Sequence, residues 1–419
     1  MGGLTLPWRW LVWAAGTVLL VTVLWWAARG DGDTSPSDAS SSKVGAPLAN
    51  APAPSAGGVV TLPAPVAERP QGDDEVEVCG LGWVKAQADG SVDPNVLERA
   101  SRATDARAGI VAALRADQNE LSQAAGLWLS MIDAGADIAQ IRDALARAVV
   151  SSTDPQAYAL AFNVCRGNPR NEGACQMLSA SQWARLDPGN ATPWLTLLSE
   201  AKARKDRAAE DEALYRIGTS QRSDTGFFAA PALAVNAASG DDLSVLAAWS
   251  VAVEMIGYAS AWSIPSYQHV VAGCKGVALN DTNRRQTCSA IADVLSDHSN
   301  SFVDQMMGVA IGKQLGRPAA RREWQSDEYA AYVASLGRQS LACADLRRGL
   351  DDLRRKASVG EAGALREWVM QSGKRPEDFA REARFRQKQQ ALEHARSQGA
   401  YAPDEAAPAS RPSSAAAPP

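Results

Sequence analysis

This 419-residue chain has six cysteines, and their spacing bears on whether they form disulfides, bind a metal or stay as free thiols. The segment "CRGNPRNEGAC" places Cys165 and Cys175 five residues on either side of position 170. Cys274 and Cys288 lie seven residues on either side of Asp281. Residues at equal distances from the loop of a helical hairpin face each other, so each pair is placed to form a disulfide. Each bridge would stabilise the fold by about 3 kcal/mol.

Other roles for the cysteines stay open at this point. Buried free thiols are one alternative, and metal or redox chemistry is another. The sequence has no C-x-x-C motif, and His269 and Cys274, five residues apart, point in different directions on a helix. The even count leaves Cys79 and Cys343 for a third disulfide, although Cys343 also continues an apolar helical stripe and is a candidate for the core.

Few residues suggest catalysis. The three histidines are His269, His298 and His394, and only His298 has nearby aspartates. Ser199 and Lys202 match the S-x-x-K pattern of penicillin-binding enzymes, but no K-T-G motif accompanies them. We therefore assign no catalytic residue, no metal ligand and no cofactor.

The elements that must position these residues are mainly helices. After position 93 the apolar residues recur at spacings of three and four, which is the period of an amphipathic helix. A brief alternation in "EVEVCGLGWVKA" indicates a short strand or hairpin near 75–85. The sequence thus predicts an all-α domain over residues 75–398.

One stretch resembles a tetratricopeptide repeat (TPR), a helix–turn–helix unit of 34 residues. Asp187 and Pro188 stand where one repeat ends and the next begins, Trp194 and Leu197 match first-helix positions, and Asp206 falls in the turn. The resemblance is partial and covers about residues 154–219. It implies a TPR-like array of helical hairpins.

Three residues depart from the TPR pattern. Leu198 replaces a small residue, Ala201 an aromatic one, and Glu210 an alanine. TPR arrays usually bind proteins or peptides on a concave face. The resemblance therefore implies a protein partner, and Trp183 and Trp194, near helix ends, are the residues that we expect to contact it.

The N-terminal sequence predicts a membrane anchor over residues 10–28. This stretch has no charged residue, and at 1.5 Å per residue it would span about 28 Å, close to one hydrocarbon core. Tryptophans flank both ends, as in the aromatic belts of membrane helices. A cleaved signal peptide is the rival interpretation, but cleavage after Ala28 would place Trp26 where a small residue is required.

The rest of the chain is divided by composition. Residues 29–74 form a linker rich in Pro, Ala and Ser, and 399–419 form a similar tail, so we expect both to be disordered. Arg9 favours a cytoplasmic location for residues 1–9 and a periplasmic one for the main domain. The Ala- and Arg-rich composition is typical of a bacterial protein, which predicts a single-pass protein of the inner membrane.

The net charge of −5 argues against nucleic acid as a partner. The function that we expect is a membrane-anchored periplasmic scaffold or adaptor that binds another envelope protein. An alternative is a cell-envelope hydrolase with an acidic site on an α-helical scaffold, and a self-assembling structural element is a third hypothesis. An apolar groove would favour the adaptor, and a deep pocket with paired buried carboxyl groups would favour the hydrolase.

Overall fold

The computed structural model describes residues 75–87, 92–93, 103–133, 135–166, 173–238, 242–262, 265–318, 340–375 and part of 377–392. The tail, anchor, linker and C-terminal tail predicted at 1–9, 10–28, 29–74 and 399–419 lie outside these residues. Within the described part of the chain, every helix is too short or too polar to cross a membrane.

The described residues divide into two units, the first with 75–76, 83–87 and 92–93, and the second with 77–82 and the described residues from 103 onwards. Strands β1 (Glu75–Val78) and β2 (Gly82–Lys85) form a two-stranded sheet, where the sequence predicts a strand or hairpin. All the helices described below belong to the second unit.

The described residues are mostly helical, and the predicted all-α class is therefore confirmed. The α-helices are α1 (Ala103–Ala116), α2 (Glu120–Ser130), α3 (Ile138–Val149), α4 (Pro155–Arg166), α5 (Ala180–Leu186), α6 (Thr192–Arg204), α7 (Arg207–Thr219), α8 (Ala229–Ala237), α9 (Asp242–Trp262), α10 (Gln268–Gly273), α11 (Thr282–Asp297), α12 (Phe302–Gln314) and α13 (Cys343–Gln371). Two 3₁₀ helices, Gly173–Met177 and Gly276–Asn280, precede α5 and α11.

Capping residues explain several helix starts. The side chains of Asp137, Ser179, Asp206, Asp281 and Ser301 each accept a hydrogen bond from a backbone N–H in the first turn of the helix that follows. These bonds satisfy donors that have no partner within the helix. The turn between α6 and α7 is tight. Lys205, the C-cap of α6, adopts the left-handed conformation (φ 57°), and the next residue, Asp206, is already the N-cap of α7.

A first hydrophobic core is built from α1 to α5 together with α8 and α9. Its largest fully buried side chains include Trp128, Tyr158 and Trp183. A second core is built from α6, α7, α10, α11 and α12, around Leu195, Ile217 and other aliphatic side chains. Helix α7 packs against both α6 and α11, so the α6–α7 and α11–α12 hairpins share this second core.

Helix α13 is interrupted at Gly360, whose backbone has φ 76° and ψ 169°. Leu346, Leu350 and Leu353 are buried before the break, while Leu365 and Val369 pack against Phe302 after it.

Candidate functional site

The structure contains three disulfides. They link Cys165 to Cys175, Cys274 to Cys288 and Cys79 to Cys343. The six cysteines are therefore all oxidised, which leaves none as a free thiol. Within the described residues, no cluster of three or more His, Cys, Asp or Glu side chains is arranged to hold a metal ion.

The local disulfides differ in one respect from the predicted hairpins. Cys165 lies in the last turn of α4, but Cys175 lies in the 3₁₀ helix Gly173–Met177 and not at the start of an α-helix. Cys274 is the C-cap of α10, and Cys288 lies in α11. The loop between Cys274 and Cys288 contains the 3₁₀ helix Gly276–Asn280, whose first residue has φ 58°.

The structure buries Trp183, one of the two residues that we expect to contact a partner. Its side chain is only 1% exposed, because it fills the first core and lies 5.7 Å, centroid to centroid, from the ring of Phe162. Trp194 is half-buried against the second core. The guanidinium carbon of Arg216 lies 5.6 Å from the centroid of the Trp194 ring, so Arg216 covers part of that aromatic surface.

An open groove of about 670 Å³ lies within the second core region. It is lined by the end of α6, the start of α7, α10, the second 3₁₀ helix and the start of α11. Leu198 and Leu214 give it an apolar floor and are buried against the core. Charged and polar side chains outnumber the apolar ones in the lining, so the groove is polar at its rim and apolar only where the two leucines lie.

Two ion pairs cross the helices that line the groove. Lys202 Nζ of α6 lies 2.7 Å from Glu210 Oε2 of α7, and Arg284 of α11 pairs with Asp211 of α7. Asp281 adds a third carboxylate, which caps α11 by accepting from the Arg284 backbone N–H at 2.8 Å. The rim therefore carries both signs of charge, with three carboxylates and two cations.

The S-x-x-K match at Ser199 and Lys202 does not form a reactive pair. Ser199 Oγ donates a hydrogen bond to the carbonyl of Leu195 at 3.1 Å, and Lys202 Nζ donates to Glu210. His269 also lines the groove, whereas His298 is the exposed C-cap of α11. His394 lies outside the described residues.

Three connecting segments, 187–191, 221–225 and 298–301, lie side by side, and we call them the loop seam. Isolated parallel bridges pair Asn190 with Arg222 and Ser223 with Ser299. The seam carries many polar groups away from water, and it was not predicted from the sequence. Several of its hydrogen bonds join residues that are 34 or more positions apart in the sequence, so no local sequence pattern predicts them.

Asn190 is the centre of the seam and is only 2% exposed. Its Nδ2 donates to Asp187 Oδ2 at 3.0 Å and to the Asp224 carbonyl at 2.8 Å. Its Oδ1 accepts from the backbone N–H groups of Thr192 and Asp224, each at 3.0 Å. Asn190 is thus fully satisfied, and it fixes the start of α6 to the segment that follows α7.

A buried carboxyl group lies next to the seam. Asp304 of α12 is 0% exposed; its Oδ1 accepts from Tyr267 Oη, and its Oδ2 accepts from Ser299 Oγ at 2.8 Å. Burial raises the pKa of Asp304 above its ordinary value of 3.8, and the nearby Asp224 carboxylate raises it further, against the opposing effect of the hydrogen bonds. Burial also raises the pKa of Tyr267 well above its usual range.

Searches against protein-family models, curated proteins and solved structures each found no match to this chain.

Proposed function

We propose that this chain is a membrane-anchored periplasmic scaffold or adaptor that binds another envelope protein through the groove between α6–α7 and α10–α11. The groove is the observation that carries the proposal. A floor of leucines within a rim of ion pairs resembles the anatomy of protein interfaces, in which an apolar centre is surrounded by polar groups.

The helical-hairpin arrangement supports a TPR-like array. The turn between α6 and α7 contains Asp206, at the position that the repeat pattern assigns to its turn, and α7 packs against α11 of the α11–α12 hairpin, which follows α8, α9 and α10 in the chain. Stacked hairpins of this kind bury their apolar faces against one another and leave elongated surfaces for binding.

The location rests on two independent features. Three disulfides are compatible with an oxidising compartment such as the periplasm. The uncharged stretch at 10–28, with tryptophans at both ends, supports an N-terminal membrane anchor. Alkaline phosphatase fused after residue 74 should be active, and an active cytoplasmic reporter at the same point would reverse the proposed orientation.

The groove favours the adaptor over the hydrolase. A hydrolase of the predicted type needs carboxyl groups that face the substrate. Glu210 and Asp211 are both engaged in ion pairs with cations of neighbouring helices, and Asp281, the third carboxylate of the groove, caps α11, so all three have structural roles.

Site-specific photo-crosslinking tests the proposal. A photoreactive amino acid at Asn283, an exposed residue of the groove, should give a discrete adduct with another envelope protein in living cells. The same amino acid at Ser181, exposed on α5, is the control and should not give that adduct. Adducts from Ser181 alone, or from neither position, would contradict the assignment of the groove.

A charge reversal tests the rim. Lys202→Glu places a carboxylate against Glu210, and the repulsion between the two like charges should distort this side of the rim and reduce the adduct from Asn283 by about tenfold. Arg147→Glu on α3 is the matched control, since Arg147 also pairs with a carboxylate, Asp143, but does not line the groove. Equal adduct yields from the two variants would show that the rim charges do not contribute to binding.

A further inference from the structure

Helix α10 forms one wall of the groove but is itself very short. It spans only Gln268–Gly273, and its residues His269, Ala272 and Gly273 line the groove. Six residues are far fewer than an isolated helix needs to be stable in water. The position of this wall must therefore be set by contacts with the rest of the fold.

The N-terminal end of α10 is held by a buried hydrogen bond. Its N-cap, Tyr267, donates through Oη to Asp304 of α12, and the two side chains are 9% and 0% exposed. Ser299 Oγ holds the other oxygen of the same carboxyl group at 2.8 Å. The Tyr267 hydroxyl thus finds its acceptor already oriented by the loop seam.

The C-terminal end of α10 is held by a covalent bond. Its C-cap, Cys274, is bonded to Cys288 of α11, with the two Cα atoms 5.5 Å apart. The residues next to these cysteines, Gly273 and Thr287, both line the groove. The two ends of α10 are consequently fixed to the two helices of one hairpin, α12 at the start and α11 at the end.

We infer that α10 is a preorganised wall and that Tyr267 is a positioning residue for the groove. This inference rests on the proposed function, and it adds an explanation of how the groove is held in the shape that binds the partner. A wall that is ordered before binding spares the partner the free-energy cost of ordering it. Releasing one end lowers the fraction of molecules whose groove is competent, and the apparent affinity falls by the same fraction.

Hydrogen exchange in the full-length protein provides the direct test, because it requires no ligand. Tyr267→Phe removes one hydroxyl and keeps the ring, so the amides of 268–274 should exchange about tenfold faster, the effect of losing about one net hydrogen bond. Tyr215→Phe is the matched control, because Tyr215 is 55% exposed on α7 and does not line the groove. Unchanged exchange of 268–274 in Tyr267→Phe would overturn the inference.

The adduct from Asn283 provides the second readout. In Tyr267→Phe its yield should fall, and overexpression of the crosslinked partner should restore it, since a less populated groove can still be saturated. Faster exchange with an unchanged yield would show that α10 order does not govern binding, and would overturn the inference but not the proposed function. Without an adduct in the wild type, the proposed function fails and the inference fails with it.

A second variant keeps the inference testable if Tyr267→Phe does not fold. Cys274→Ala/Cys288→Ala releases the other end of α10 while Tyr267 remains bound to Asp304. It should accelerate exchange most strongly at the C-terminal amides of 268–274, whereas Cys165→Ala/Cys175→Ala, in the other local disulfide, should leave these amides unchanged. Equal acceleration by both double variants would indicate general destabilisation and would contradict the positioning role.

Discussion

Gly360 lies directly against Asn300. A Cβ atom built on Gly360 would come within 2.6 Å of the Asn300 Cα atom. The Glu361 backbone N–H donates to the Asn300 carbonyl at 2.8 Å, and the Phe302 N–H donates to Glu361 Oε2 at 2.9 Å. The break in α13 is therefore the point at which its second half docks onto the loop seam.

We expect Gly360→Ala to lower the free energy of unfolding by about 3 kcal/mol or more. The residue has φ 76° and ψ 169°, a conformation that is costly for any side chain, and the new methyl group would meet the Asn300 backbone. Gly373→Ala is the control, because φ is 68° there but no atom lies within 4 Å of the new Cβ, so its cost should be about 1 kcal/mol. Urea unfolding measures both, and equal losses would contradict the docking of α13 on Asn300.

The absence of a side chain at Gly308 allows α11 and α12 to pack closely. A Cβ at this position would lie 2.5 Å from the Ser296 backbone nitrogen and 2.9 Å from the Ala292 carbonyl oxygen. Gly308→Ala should push the helices apart and cost about 1–3 kcal/mol. Gly109→Ala, in α1 with open space around it, should instead stabilise the protein by about 0.5–1 kcal/mol. Thermal or urea unfolding measures the stability of both variants. Changes of the same sign in the free energy of unfolding would contradict this packing.

The three disulfides should contribute unequally to stability. Cys79 and Cys343 are 264 residues apart, whereas the local pairs are 10 and 14 residues apart. Because longer loops lose more entropy on closure, Cys79→Ala/Cys343→Ala should cost about 5 kcal/mol and each local double variant about 3 kcal/mol. Urea unfolding under non-reducing conditions ranks the three double variants by stability. A larger loss of stability on removal of either local disulfide than on removal of Cys79–Cys343 would contradict the prediction.

Asp304 predicts a specific pH dependence. Its pKa is raised in the folded state, mainly by burial, so the folded protein holds this proton more tightly than the unfolded chain does. The stability that the protonated carboxyl contributes should therefore fall as the pH rises from about 3.8 through the raised pKa, by about 1.4 kcal/mol for each unit of the shift. Unfolding of Asp304→Asn should not show this fall, and parallel pH profiles for wild type and variant would refute the assignment.

The sequence predicts the helical class because apolar periodicity reports directly on the buried face of a helix. Asp206 illustrates this local kind of information, since it is placed in the turn by the pattern and caps α7 in the structure. The burial of Trp183 was not predictable in the same way. Periodicity identifies the apolar side of a helix, but whether that side meets the protein's own core or a partner depends on helices far away in sequence.

The candidate site was less predictable than the fold. Leu198 and Asp211 meet His269 and Arg284 in one groove only because α10 and α11 return to the α6–α7 hairpin. The seam is similar, because Asp224 contacts Asn300 across 76 residues. Polar residues in loops carry no periodic signal, so neither arrangement can be deduced from spacing along the chain.

The bond between Cys79 and Cys343 also determines how the protein responds to tension. It joins the segment after β1 to the first residue of α13, and all helices from α1 to α12 lie between the two cysteines. A force applied to the chain before residue 79 and after residue 343 passes through this covalent bond and bypasses those twelve helices. All the residues that line the groove lie between the two cysteines, so tension applied at those two points would not load the groove.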